Sequence, residues 1–111
     1  MREPRQEREP ATPNDVGFYQ PHVGTSFTID GSPAPVVLQL ARIDDRGVRD
    51  GTRRFSLFFH GAPAQLLRQG TYVLEHDALG PLLLFIAPVQ GSTRERILYE
   101  ACFNVTAAPP D

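Results

Sequence analysis

Residues 97–105 read ILYEACFNV, with Ile97, Tyr99, Ala101, Phe103 and Val105 alternating against Leu98, Glu100, Cys102 and Asn104. Successive side chains of a strand point to opposite faces, so this period of two predicts a β-strand with one apolar face turned to a core. Just upstream, residues 82–89, LLLFIAPV, are apolar on both faces. That pattern predicts a strand covered on both sides, or one whose outer face is a protein contact. Pro88 removes a ladder donor and favours an edge or bulge at that end. Gly70–His76 sets Tyr72, Leu74 and His76 against Thr71, Val73 and Glu75, and residues 77–81 close it with turn chemistry. Residues 55–61 set Phe55, Leu57 and Phe59 against Ser56, Phe58 and His60. Phe58 is too apolar for an open face, so a second layer or residues 62–68 should cover it. The run AQLLR after Pro63 fits one helical turn.

Further toward the N-terminus, residues 36–44, VVLQLARID, and 24–29, GTSFTI, are two more strand candidates, separated by the turn residues Asp30, Gly31, Ser32 and Pro33. Residues 44–51, DDRGVRDG, are polar and twice interrupted by Gly, which predicts a hairpin connection with a mobile tip. The first sixteen residues mix three Arg, three Glu and three Pro with little that is apolar. They offer too little burial to offset the entropy of ordering and are expected to form a disordered tail, 1–16. Six strands joined by hairpin-length links, with no long helical crossover, predict a single all-β domain over 17–111. Its expected form is a small antiparallel barrel or a two-layer sandwich.

Composition narrows the function classes. With 111 residues the chain holds one domain. Eleven Arg and no Lys face thirteen acidic residues for a net charge of -2, which gives no field to attract nucleic acid. No run is long and apolar enough for a membrane span, and the N-terminus lacks the apolar middle of a signal peptide, so a cytoplasmic protein is expected. The single Cys102 can form neither an intramolecular disulfide nor a Cys-based metal site, and it reads as a small buried residue.

Nothing in the spacing joins His22, His60 or His76 to Cys102 or Ser56 in a nucleophilic arrangement. Glu75, His76 and Asp77 form the densest polar cluster, yet neighbouring strand residues diverge, so they do not converge on one ion. His76 is expected instead to pin the following turn, through a carbonyl near Leu79 and Gly80. Gly70 and Gly80 bracket that hairpin where turns need positive φ or close approach. Arg42, Arg46, Arg49, Arg53 and Arg54, interleaved with Asp44, Asp45 and Asp50, read as a solvated loop with exposed ion pairs. Phe55, Phe58, Phe59, Phe85 and Phe103 exceed what one inward stripe uses, which leaves internal covering and a partner surface both open.

The residues Gln69-Gly70-Thr71-Tyr72, Glu75-His76, Leu79-Gly80, Leu84-Phe85-Ile86-x-Pro88 and Tyr99-Glu100-Ala101-x-Phe103-Asn104 resemble an uncharacterised bacterial family of small all-β proteins, a domain of unknown function. The resemblance covers residues 55–104, with a weaker match at Gly24-Thr25-Ser26-Phe27. It implies no catalytic residue, metal or cofactor, and it implies a part in a phage-tail-like or appendage structure. Together these readings point to a non-enzymatic structural or interaction module with a protein partner or self-association. Phe58, Tyr72, Glu75, His76, Gly80, Phe85, Tyr99 and Asn104 are its candidate structural or interaction residues. The competing reading is a small-ligand or enzymatic barrel with a site around His60, Tyr72, Glu75 and His76.

Overall fold

The computed structural model of the protein describes residues 9–31 and 34–106. Six strands, β1 (Ser26–Ile29), β2 (Val36–Arg49), β3 (Thr52–Gly61), β4 (Gly70–His76), β5 (Gly80–Pro88) and β6 (Ile97–Thr106), form a closed barrel in the order β1-β2-β3-β6-β5-β4. Every pairing is antiparallel. The barrel, rather than the sandwich, is therefore the architecture.

Closure is uneven. β3 and β6 pair from Thr52↔Thr106 to Gly61↔Ile97, and β4 pairs along its whole length with β5. Two seams are thin: β1 meets β4 only at Thr28↔Glu75, and β5 meets β6 only at Ala87↔Glu100 and Pro88↔Tyr99. Inward side chains fill the centre, with Phe27, Leu38, Leu40, Phe55, Leu57, Phe59, Leu74, Leu82, Leu84, Ile86, Tyr99 and Ala101 essentially closed to solvent. Phe27 and Phe59 meet edge to face at 5.4 Å between ring centroids, a favoured aromatic geometry. Gly61 lies where β3 passes closest to this core, for a Cβ there would sit 2.7 Å from Leu38 Cδ2 and 3.0 Å from Tyr99 Cε2.

One barrel end is closed by a helical segment that the period-two reading did not anticipate. Helix α1 (Val16–Tyr19) runs into a 3-10 turn over Gln20–His22. Asp15 caps it by accepting from the Gly17 N–H. Tyr19 is fully buried, 5.7 Å from the Phe103 ring and 6.3 Å from Phe55, and those two rings stack on each other at 4.5 Å.

Three expectations change. Of the expected disordered tail, residues 1–8 lie outside the described residues, while 9–15 are held against the barrel. The Ala11 N–H donates to Pro81 O, the Leu83 N–H donates to Ala11 O, and Thr12 Oγ1 donates to Leu83 O. The expected mobile connection over 44–51 is strand almost to its tip. β2 continues to Arg49 through a register shift between Asp45 and Val48, where the Asp45 carboxylate takes the Gly47 N–H and the Arg53 guanidinium. Asp50 (φ 54) and Gly51 (φ 78) form the two-residue turn, with the positive φ pair of a type I′ hairpin. Finally, Phe58 is buried, and a charged side chain is part of its cover. The Arg42 guanidinium lies over its ring at 4.1 Å, a cation–π cover that leaves Arg42 itself half in water.

Candidate functional site

The β5–β6 seam positions a cleft on the barrel wall. The Val89 N–H donates to Leu98 O and extends the register of Pro88↔Tyr99 and Ala87↔Glu100. In an antiparallel ladder alternate residues direct their N–H and C=O to the same side, so Cys102, Asn104 and Thr106 direct theirs toward β5. By then β5 has parted from β6. The side of β5 left free is taken by the segment around Ala11, which bridges Leu82 in parallel fashion. The same alternation turns the main chain of Thr12 away from β5 and toward β6. Between these two edges lies a cleft of about 400 Å³, lined by Thr12, Asn14, Leu84, Phe85 and β6 from Ala101 to Thr106. No described strand pairs with β6 beyond Glu100 on this side.

The outer face beside the cleft is apolar. Val73 of β4 lies opposite Leu83 of β5, and both project outward with Phe85 at 37%, 39% and 55% exposure. The outward run of residues 82–89 is therefore not covered by another layer of this chain among the described residues.

A polar cluster occupies the outer face of β3 and β6. Ser56 Oγ donates to Glu100 Oε2 at 2.7 Å, and Cys102 Sγ donates to the same oxygen at 3.1 Å. The Ser56 hydroxyl, followed by the Cys102 thiol, holds the Glu100 carboxyl below its ordinary range, with Arg46 and Arg42 adding to the effect against burial. For Cys102 the Ser56 hydrogen bond acts to lower the pKa, but burial and the Glu100 carboxylate outweigh it and the thiol is raised. The thiol stays protonated, and it is a donor rather than a nucleophile. Cys102 is exposed, contrary to its expected burial, because its parity places it beside Glu100 rather than with Ala101 and Phe103.

The site expected around His60, Tyr72, Glu75 and His76 is not assembled. His60 projects outward from β3 between Gln39 and Leu98, across the barrel from β4. Glu75 points away from Tyr72 and His76, which share a face but are separated by buried Leu74. The Tyr72 hydroxyl donates to Arg68 O, and Tyr99 Oη accepts the Leu67 N–H, so both phenols are committed to the chain after β3. Burial raises the Tyr99 phenol beyond its ordinary range, so it remains a neutral hydroxyl. A second cavity of about 350 Å³ at this end takes only Tyr72 of the four. Among the described residues no group of three His, Cys, Asp or Glu could hold a metal ion.

His76 has a structural position. Its Nδ1 accepts the N–H groups of Ala78 and Leu79 at 3.0 and 3.2 Å, so it fastens the β4–β5 turn through amides rather than the expected carbonyl. That fixes the proton on Nε2, which donates to Thr25 Oγ1 at 2.9 Å, and Thr25 donates on to His22 O. The ring is wedged between Phe27 at 4.5 Å and His22 at 4.8 Å. Gly80 closes the turn at φ 77. Gly70 needs no such conformation, as its φ is not positive.

Burial, and next the charge of His22, lower the His76 pKa despite Asp77; burial, then Arg96 and Arg42, lower that of His60. A histidine whose folded pKa lies below its unfolded value of about 6.5 favours the folded state fully above that pH, and the advantage is lost as pH falls through the folded value. Urea denaturation midpoints should therefore fall from pH 7.5 to 5. His76→Ala should cost about 1–2 kcal/mol at pH 7.5 and flatten that fall; an unchanged slope in the variant would assign the acid sensitivity elsewhere.

Asn104 projects outward from β6 opposite Arg54, within a strand that runs on to Thr106. The residues that sequence reasoning missed are Thr12, Asn14 and the main chain of β6. Pairing through backbone atoms leaves no side-chain signature, so only the Asp15 cap hinted that residues before 16 were ordered. No curated protein and no solved structure matches the chain. Over residues 16–103, from α1 through most of β6, it matches the model of one family, and the chain belongs to that family, described as Domain of unknown function (DUF6916).

Proposed function

We propose that the protein is a non-enzymatic structural or protein-interaction module that docks through the outer face of β4 and β5. The observation that carries this reading is the cluster of Val73, Leu83 and Phe85 standing in water beside an open seam. Contiguous exposed apolar surface next to a cleft is what interaction surfaces present, and an aromatic such as Phe85 is the kind of side chain that anchors them. The filled barrel centre supports the same reading, since its apolar volume is spent on packing. The setting implied by the family resemblance is a phage-tail-like or appendage assembly, in which a partner would be present in fixed stoichiometry.

The test is affinity purification from the native host, comparing the wild-type chain with a Leu83→Glu, Phe85→Glu variant. Both positions are exposed, so the variant should stay folded, with a stability change of roughly 0.5 kcal/mol or less. A stoichiometric companion retained by the wild type and lost by the variant is the expected result. A companion retained equally by both, or none with either, would overturn the docking face. Light scattering on the isolated chain distinguishes self-association, which the same two substitutions should abolish.

A further inference from the structure

We infer that the free edge of β6 accepts an extended, uncharged strand of a partner protein, which pairs with Cys102, Asn104 and Thr106 inside the cleft between β6 and the Thr12 segment. The inference rests on the interaction-module reading and names how the partner is held. Three observations carry it. The first is main-chain chemistry: the N–H and C=O groups of Cys102, Asn104 and Thr106 point into the cleft by the alternation fixed at Val89 and Leu98. Each exposed edge group is a template for another backbone, and strand addition is the recognition mode that uses it. The second is that the chain has already made one such addition on the same seam. The Ala11 segment pairs with β5 through Pro81 and Leu83, so the seam admits a strand that is not part of the barrel ladder.

The third observation selects the occupant. The cleft is lined by apolar and neutral polar side chains, with no Asp, Glu, Arg, Lys or His among them. A charged guest would lose hydration there without an opposite charge to receive it. The stretches of sequence that flank the described residues do not have that composition. Residues 1–8 carry Arg2, Glu3, Arg5, Glu7 and Arg8, and residues 107–111 hold Pro109 and Pro110, which have no N–H to give. An uncharged segment of alternating apolar and small polar residues matches both the edge and the lining, and its outward side chains would continue the apolar surface begun by Phe85.

The experiment uses the full chain and a defined probe, the N-acetylated, C-amidated peptide Val-Thr-Val-Thr-Val-Thr-Val at millimolar concentration. Amide hydrogen exchange is read residue by residue by NMR. Without peptide, the amides of Cys102, Asn104 and Thr106 should exchange fast while those of Ala101, Phe103 and Val105, bonded to β3, are protected. Peptide should slow the first three. Asn104→Pro removes one edge donor while sparing the β3 ladder, because proline is tolerated where the N–H faces away from the neighbouring strand. That variant should keep the melting temperature of the wild type and weaken the peptide about tenfold. Slow exchange at 102, 104 and 106 before peptide is added would overturn the inference, as would peptide that leaves these amides unchanged. Peptide shifts confined to Val73, Leu83 and Phe85 would overturn strand addition and leave the docking face standing. Loss of the host companion from the Leu83→Glu, Phe85→Glu variant but not from Asn104→Pro would do the same.

Discussion

Tyr19→Ala should destabilise the fold by about 3–5 kcal/mol, the range for removing a buried aromatic side chain. Folded domains are stable by only about 5–15 kcal/mol, so this one change would leave a large unfolded fraction on mild heating. The size follows from where the ring sits. Tyr19 is the fully buried residue of α1, and it closes the barrel end against Phe55 and Phe103. Its hydroxyl donates to Pro13 O at 2.6 Å and ties the segment carrying Thr12 and Asn14 to the same ring. Burial pushes the phenol far above its ordinary range, so it stays a neutral donor at all ordinary pH. Tyr19→Phe keeps the ring and loses only the tether, and it should cost about 0.5–1.5 kcal/mol. Urea denaturation of both variants separates the two contributions. If alanine costs no more than phenylalanine, the ring is not what closes the barrel.

Gly61→Ala is the second large effect, expected at about 1–3 kcal/mol by overpacking. Gly61 does not serve a turn; it makes room. The added methyl would meet Leu38 Cδ2 at 2.7 Å and Tyr99 Cε2 at 3.0 Å. Tyr99 has little freedom to withdraw, because its hydroxyl holds the Leu67 N–H at 2.9 Å and its ring is fully buried. Leu38 must give instead, inside a filled core. A Gly61→Ala, Leu38→Val double variant should be more stable than the sum of the two single changes predicts, since the lost methylene is the volume that the new methyl requires. Strict additivity in the thermal melts would place the strain elsewhere.

Much of this fold could be read from alternation. Gly70–His76 has the same bounds in the sequence reading and in the barrel, because Tyr72, Leu74 and His76 alternate cleanly and Gly80 ends the hairpin at positive φ. Alternation says nothing about a helix of four residues, which is too short to show a 3.6-residue period. Asp15, immediately before Val16, was the available signal for α1. The Asp50-Gly51 pair also carried a type I′ signal, but it was submerged in a polar stretch that read as mobile. Phe58 shows the limit of a two-class apolar and polar reading. Part of its cover is the charged Arg42, whose planar head lies on the ring. The cleft was least legible of all, since both its edges are main chain. The apolar outer face of β5 was legible, because residues 82–89 offered no polar side to turn toward water.

The uneven closure of the barrel sets the order in which the molecule can assemble. The β2–β3 and β4–β5 hairpins join near neighbours in the chain, whereas Thr12 reaches Leu83 across 71 positions. Long loops are entropically costly to close, so such distant partners are rewarded late. The segment around Ala11 and Thr12 is accordingly among the last to settle, and it works as a latch that fastens after the walls have met.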